Sequence, residues 1–148
     1  MNKLKVGIAG YGIVGKRRRD CIDRSEYADV IAVCDQTFDS SGVTNDEIKF
    51  FKSYLELLEE DLDVLLVCMP NQIAPEVTIA GLKKGLHTFC EKPPGRTVED
   101  IVSVAKVEKE NPDLKLMYGF NHRYHDSVQE ALKIIRSEEL GKIINMRG

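Results

Sequence analysis

Val6-Gly7-Ile8-Ala9-Gly10-Tyr11-Gly12-Ile13-Val14-Gly15 is the stretch that decides the fold. A short apolar run ends on a glycine, two more glycines follow in the spacing G-x-G-x-x-G, and a helical pattern opens among them. The run reads as a strand over Lys5 to Ala9, and the pattern as a helix from Ile13 to about Tyr27. Gly10 permits the tight turn out of the strand, Gly12 removes the Cβ where a pyrophosphate would approach, and Gly15 lets the helix pack close to the sheet. The helix start, with Ile13 and Val14, presents free N–H groups and a positive dipole end to phosphates. Three glycines at this spacing can also be a plain turn; the strand before them and the helix after them make them a dinucleotide loop.

Asp35 lies twenty residues after Gly15, at the end of a second apolar run, Val30 to Cys34. A carboxylate there accepts hydrogen bonds from the adenine ribose hydroxyls and repels a 2′-phosphate. Gln36 and Thr37 follow, with no arginine to pair with such a phosphate, so the expected cofactor is NAD rather than NADP.

Further along, short apolar runs keep alternating with helical patterns. A third strand is expected at Ile48 to Phe51 and a helix at Leu55 to Glu60. The continuous apolar run Asp63 to Met69 suits a strand covered on both faces of a parallel sheet. A helix from Pro75 to Lys84, a strand at Leu86 to Cys90, a helix opened by Thr97-Val98-Glu99-Asp100 as a capping box, and a strand at Leu114 to Phe120 follow. Asp39 to Asp46 reads as a surface loop. The fold class is therefore α/β, a doubly wound parallel sheet of about six strands. A last helix, Ser127 to Glu139, carries Val128, Ala131, Leu132 and Ile135 on one stripe, and Lys142 to Arg147 resembles the start of another strand. Residues 1–122 are expected to form the dinucleotide domain and 123–148 the beginning of a second one.

The bulk properties narrow the function classes. The chain has 148 residues, 43% hydrophobic and 30% charged, with net charge −3, which suits one globular domain and gives no basic surface for nucleic acid or an anionic membrane. The run Lys16-Arg17-Arg18-Arg19 reads as the solvated face of the first helix. No apolar stretch reaches the roughly 20 residues that span a bilayer. Cys21, Cys34, Cys68 and Cys90 form no C-x-x-C pair and read as small apolar residues of a cytoplasmic protein. His87, His122 and His125 lack partners at ligand spacing, so no metal is expected.

Two more motifs stand where such sheets bind ligands, just after strands. Cys68-Met69-Pro70-Asn71 ends the fourth strand and would lie against the ribose and nicotinamide side of the cofactor. Glu91-Lys92-Pro93 follows the fifth, where a lysine could reach a substrate hydroxyl and serve in proton transfer. Each is an ordinary surface turn when read in isolation.

In this order the motifs resemble those of the Gfo/Idh/MocA family of oxidoreductases, from Lys3 to Gly148. The resemblance rests on the glycine loop, Pro70-Asn71, Leu86-His87-Thr88-Phe89-Cys90-Glu91-Lys92-Pro93 and Tyr118-Gly119-Phe120-Asn121-His122-Arg123-Tyr124. It implies hydride transfer between nicotinamide and a hydroxyl-bearing carbon of a sugar, polyol or sugar nucleotide. Lys92 would hold the reacting hydroxyl, Glu91 would shape the nicotinamide pocket, and Asn121 would lie near the cofactor. Arg123 would meet an anionic group of the substrate, although a surface arginine at a helix entry fits it equally well. Ala74 stands where many relatives carry a histidine. The family's usual chain continues into an open-sheet domain that carries a catalytic histidine and forms most subunit contacts. This chain is therefore expected to be a truncated product or engineered piece of a longer, homo-oligomeric oxidoreductase. A stand-alone dinucleotide-binding or sensor module without catalysis, and an interaction domain with a relict site, are the alternatives.

Overall fold

The protein is described from a computed structural model, and the structure describes residues 2–145 and 147. The elements are β1 (Leu4–Ala9), α1 (Ile13–Ile22), β2 (Ala28–Cys34), β3 (Gly42–Val43), β4 (Lys49–Phe51), α2 (Tyr54–Leu57), β5 (Val64–Val67), α3 (Ala74–Lys83), β6 (His87–Cys90), α4 (Val98–Glu110), β7 (Leu116–Tyr118), a 3₁₀ turn (Asn121–Tyr124) and α5 (Asp126–Ser137).

The strands make one sheet in the order β3-β4-β2-β1-β5-β6-β7. Every pairing is parallel except β3 with β4. The chain winds outward from β1 through β2 to β4, then crosses back and winds the other way through β5, β6 and β7. The reversal lies between β1 and β5, and a crevice opens at their carboxyl ends, where such sheets take ligands.

The period-two alternation of the strands sorts the core into two layers. Val6 and Ile8 of β1 join Val30, Val33, Ile48 and Leu66 on one face. Ala9 joins Ala32, Cys34, Leu57, Leu65, Val67, Val77 and Cys90 on the other. Leu82 of α3 meets Val104 and Val107 of α4 in a smaller cluster. Ile8, Leu57, Leu65 and Leu82 are fully buried, and truncation of such a side chain to alanine costs about 2–5 kcal/mol.

Several elements differ from the sequence reading in instructive ways. The sheet has seven strands, because the polar loop around Gly42 and Val43 turns back on β4 as a two-residue antiparallel edge. α1 ends at Ile22 rather than near Tyr27. Leu4 N donates to Tyr27 O at 2.8 Å, so the chain is already aligned with β1 by that residue. The capping box at Thr97 forms in full: the Thr97 side chain accepts from Asp100 N, and the Asp100 carboxylate accepts from Thr97 N. The basic run on α1 is only half solvated. Lys16 and Arg17 are exposed, while Arg18 pairs with Glu91 and Arg19 with Asp23 and Asp46. At the far end, α5 forms with no buried residue, and Ile134 and Ile135 stay exposed. Residues 142–145 and 147 make no ladder, since no neighbouring strand offers its backbone to them; Met146, in the same expected strand, lies outside the described residues.

Candidate dinucleotide site

The glycine loop sits between the ends of three strands. Gly10 N donates to Cys34 O at 2.9 Å, and Cys68 N donates to Ala9 O at 2.7 Å, which ties β1 to β2 and β5 at the point where the chain turns. Gly10 has φ +93, and a Cβ added there would stand 2.5 Å from the Cys68 carbonyl oxygen. A Cβ on Gly15 would stand 2.1 Å from Gly10 O, so the helix can approach the loop only because Gly15 has none. Gly12 is different: nothing lies within 4 Å of the place its Cβ would take. It is the N-cap of α1 and makes no side-chain cap, so the first amides of the helix have no capping partner beside that space. Backbone donors facing a gap that any side chain would fill are the arrangement a pyrophosphate requires.

Asp35 stands directly after β2 and is bonded into the loop. Its Oδ2 accepts from Tyr11 N at 2.8 Å, and its Oδ1 accepts from Thr37 N at 3.0 Å and Thr37 Oγ1 at 2.7 Å. Burial works to raise its pKa, but the hydrogen bonds from Thr37 and Tyr11 and the charge of Lys16 outweigh it and hold the carboxyl below its ordinary value. Asp35 is therefore a carboxylate at neutral pH, and with about four lone-pair sites it keeps capacity for a further donor.

Gly10, Gly12, Asp35, Gln36, Met69 and Pro70 line one cavity of about 580 Å³. Six of the sequence-predicted cofactor residues thus share a wall. Cys68, which opens the turn read before Pro70-Asn71, lines it too; the sequence reading missed Lys52, Ser53, Tyr54, Gln72 and Ile73, which complete it. One signal was present. Ser53-Tyr54-Leu55-Glu56 is a capping-box spacing, and both its bonds form at the start of α2, which brings Tyr54 to the cavity edge. The Tyr54 hydroxyl donates to Glu76 of α3, and that bond, with burial, pushes its pKa up to about 12. Burial likewise pushes the Cys68 thiol up to about 12, so it faces the cavity as a neutral group.

Beyond Pro70 the predicted residues spread out. Asn71 is half-buried in the turn before α3 but is not in the cavity wall, and Ala74 is wholly buried. Glu91 follows β6; its amide donates to Val67 O at 2.9 Å and its side chain is 13% exposed. Lys92 is exposed, and its peptide bond to Pro93 is cis. Asn121 and Arg123 are exposed on the 3₁₀ turn. Arg123 lines a separate cavity of about 380 Å³ with Leu116, Phe120 and Tyr124, so the structure does not bring it into the main cleft.

Residues 4–120 match the model of the oxidoreductase family described by its NAD-binding Rossmann fold. This chain belongs to the Gfo/Idh/MocA family. Similar proteins include the inositol 2-dehydrogenase/D-chiro-inositol 3-dehydrogenase of Lactiplantibacillus plantarum, 29% identical over 96% of this chain and 42% of that protein. The glucose-6-phosphate 3-dehydrogenase of Bacillus subtilis is 29% identical over 97% of this chain and 41% of that protein. The fold also matches the solved scyllo-inositol dehydrogenase from Lactobacillus casei with bound NAD(H) and scyllo-inositol, at TM-score 0.84, 23% identity and coverage of 96% of this chain and 43% of that one. The chain thus spans less than half the length of these relatives. Within this NAD-binding Rossmann domain, Gly12 at the start of α1 and the ionised Asp35 line one cavity.

Proposed function

We propose that this chain is the cofactor-binding part of an NAD-dependent dehydrogenase acting on a hydroxyl-bearing carbon of a sugar, polyol or sugar nucleotide. The single observation that carries the reading is the shared cavity of Gly10, Gly12, Asp35 and Pro70, with α1 opening onto it uncapped. In this reading the amides of Ile13 and Val14 hold the pyrophosphate, Asp35 and Gln36 the adenine ribose, and Met69, Pro70 and Asn71 the second ribose. Glu91 and Asn121 border the nicotinamide, and the nicotinamide when bound supplies the hydride donor or acceptor. The hydride carries both electrons, and Lys92 holds the substrate hydroxyl and takes or returns its proton, which completes the exchange of alcohol for carbonyl. Arg123, in its separate cavity, is the position we assign to an anionic group of the substrate.

Residues 1–122 then form the cofactor domain, while 123–148 belong with a further domain that completes the substrate site and joins subunits. The apolar stripe that α5 leaves exposed supports this division. Among the described residues no helix is long and apolar enough to cross a membrane, and all four thiols are free. The free thiols support a reducing cytoplasmic setting.

NADH titration followed by nicotinamide fluorescence tests the cofactor assignment. Saturable binding is expected, with NAD competing more strongly than NADP. No saturation at millimolar NADH overturns the reading, and NADP binding as well as NAD overturns the role given to Asp35.

A further inference from the structure

The ion pair between Arg18 and Glu91 joins residues 73 positions apart and lies outside the cavity wall. Arg18 sits on the second turn of α1, and Glu91 is the residue before Lys92. Arg18 Nε donates to Glu91 Oε1 at 2.6 Å, and a terminal guanidinium nitrogen donates to the same oxygen. The guanidinium carbon lies 5.1 Å from the centre of the Phe89 ring, so the aromatic face of β6 holds the fork in place. The other carboxylate oxygen, Oε2, lies beside Gly119. A Cβ on the buried Gly119 would stand 2.7 Å from it.

The Glu91 side chain is 13% exposed, against 54% for the Asp46 side chain that Arg19 pairs with. A carboxylate this far out of water needs its partner, whereas an exposed pair contributes little. The Glu91 amide is bonded to β5 through Val67 O. Main chain and side chain of Glu91 are therefore both fixed, and the next residue leaves from a set direction.

Resting on the dehydrogenase reading above, we propose that Arg18 is a positioning residue. Through Glu91 it sets the Glu91-Lys92 turn, and with it the nicotinamide end of the cleft, without touching the adenosine end. Glycine at 119 belongs to the same device, as the space that Glu91 occupies.

The test compares two ligands on the whole chain: NADH, and ADP-ribose, which lacks the nicotinamide. Arg18→Met is expected to weaken NADH about tenfold, as loss of a partner from a desolvated charge pair does, and to leave ADP-ribose within about twofold. Arg18→Lys restores the charge but not the fork and should recover part of the NADH loss. Gly119→Ala pushes on Glu91 with Arg18 intact and should show the same selective loss, which keeps the test open if Arg18→Met fails to fold. An unchanged ratio of the two affinities in the variants, whether both fall or neither does, overturns the positioning role. If the unaltered chain binds neither ligand, the cofactor reading itself fails, and the proposal goes with it.

Discussion

The Asp35 end of the cavity and the Lys92 end of the molecule, the Glu91-Lys92 turn where the proposed working group stands, are built on different terms. At the Asp35 end the carboxylate accepts three hydrogen bonds from Tyr11 and Thr37, and Gly10 is locked between β1 and β5. The groups offered to a ligand there also hold the loop together. At the Lys92 end the frame and the working group are separate: Glu91 is held by Arg18 and Val67, and Lys92 stands free of it in solvent. Substitution of a group that also holds the loop should thus move stability and binding together, and substitution of a group that does not should leave stability alone.

Gly10 and Gly12 test that statement most sharply, because they are two residues apart and differ in surroundings. Gly10→Ala places a Cβ 2.5 Å from a backbone carbonyl at φ +93, where neither group can give way. A loss of about 3 kcal/mol or more is expected, with NADH binding abolished. Gly12→Val meets nothing within 4 Å and should leave thermal stability nearly intact while it removes saturable NADH binding. Calorimetry beside an NADH titration checks both. A fall in Tm for Gly12→Val equal to that for Gly10→Ala would show that the space at Gly12 belongs to the fold.

Asp35→Asn comes next. It keeps the shape of the side chain but weakens the bonds from Tyr11 N and Thr37, at about 1–2 kcal/mol. NAD affinity should fall about tenfold, and the preference over NADP should shrink with it. The pH dependence has a definite sign. The carboxyl titrates lower folded than unfolded, so its stabilisation is complete above the unfolded value of about 3.9. It is lost as pH falls from there through the lower folded value. Urea unfolding of wild type should weaken over that acid window more than Asp35→Asn does.

Local chemistry is what could be read in advance. The glycine loop, the apolar run of β5 and the Thr97 cap are all short-range patterns, and their physics is complete within a few residues. The missed features depend on distance along the chain or on partners. β3 exists only because β4 lies beside it, and α1 stops early because Tyr27 is pulled to Leu4. Lys52 and Tyr54 enter the cavity because β4 ends beside β2. Arg18 looked like one of four solvated bases, and nothing near it in sequence points to Glu91. α5 shows the opposite case: its apolar stripe was legible, yet among the described residues Val128 and Leu132 are only half-buried and Ile135 is exposed.

Lys92→Met is the smallest expected effect and the most demanding test of the comparison. The side chain is exposed, and no ion pair to it is found among the described residues. Its removal should shift Tm by no more than about 1 °C, as for most exposed positions. NADH and ADP-ribose affinities should each stay within about twofold, because neither ligand carries the hydroxyl that Lys92 is assigned to hold. Arg18→Met, which acts through Glu91, should change the NADH to ADP-ribose ratio; Lys92→Met should not. If Lys92→Met alters that ratio as much as Arg18→Met, the lysine is part of the nicotinamide frame, and the separation of frame from working group at this end does not hold.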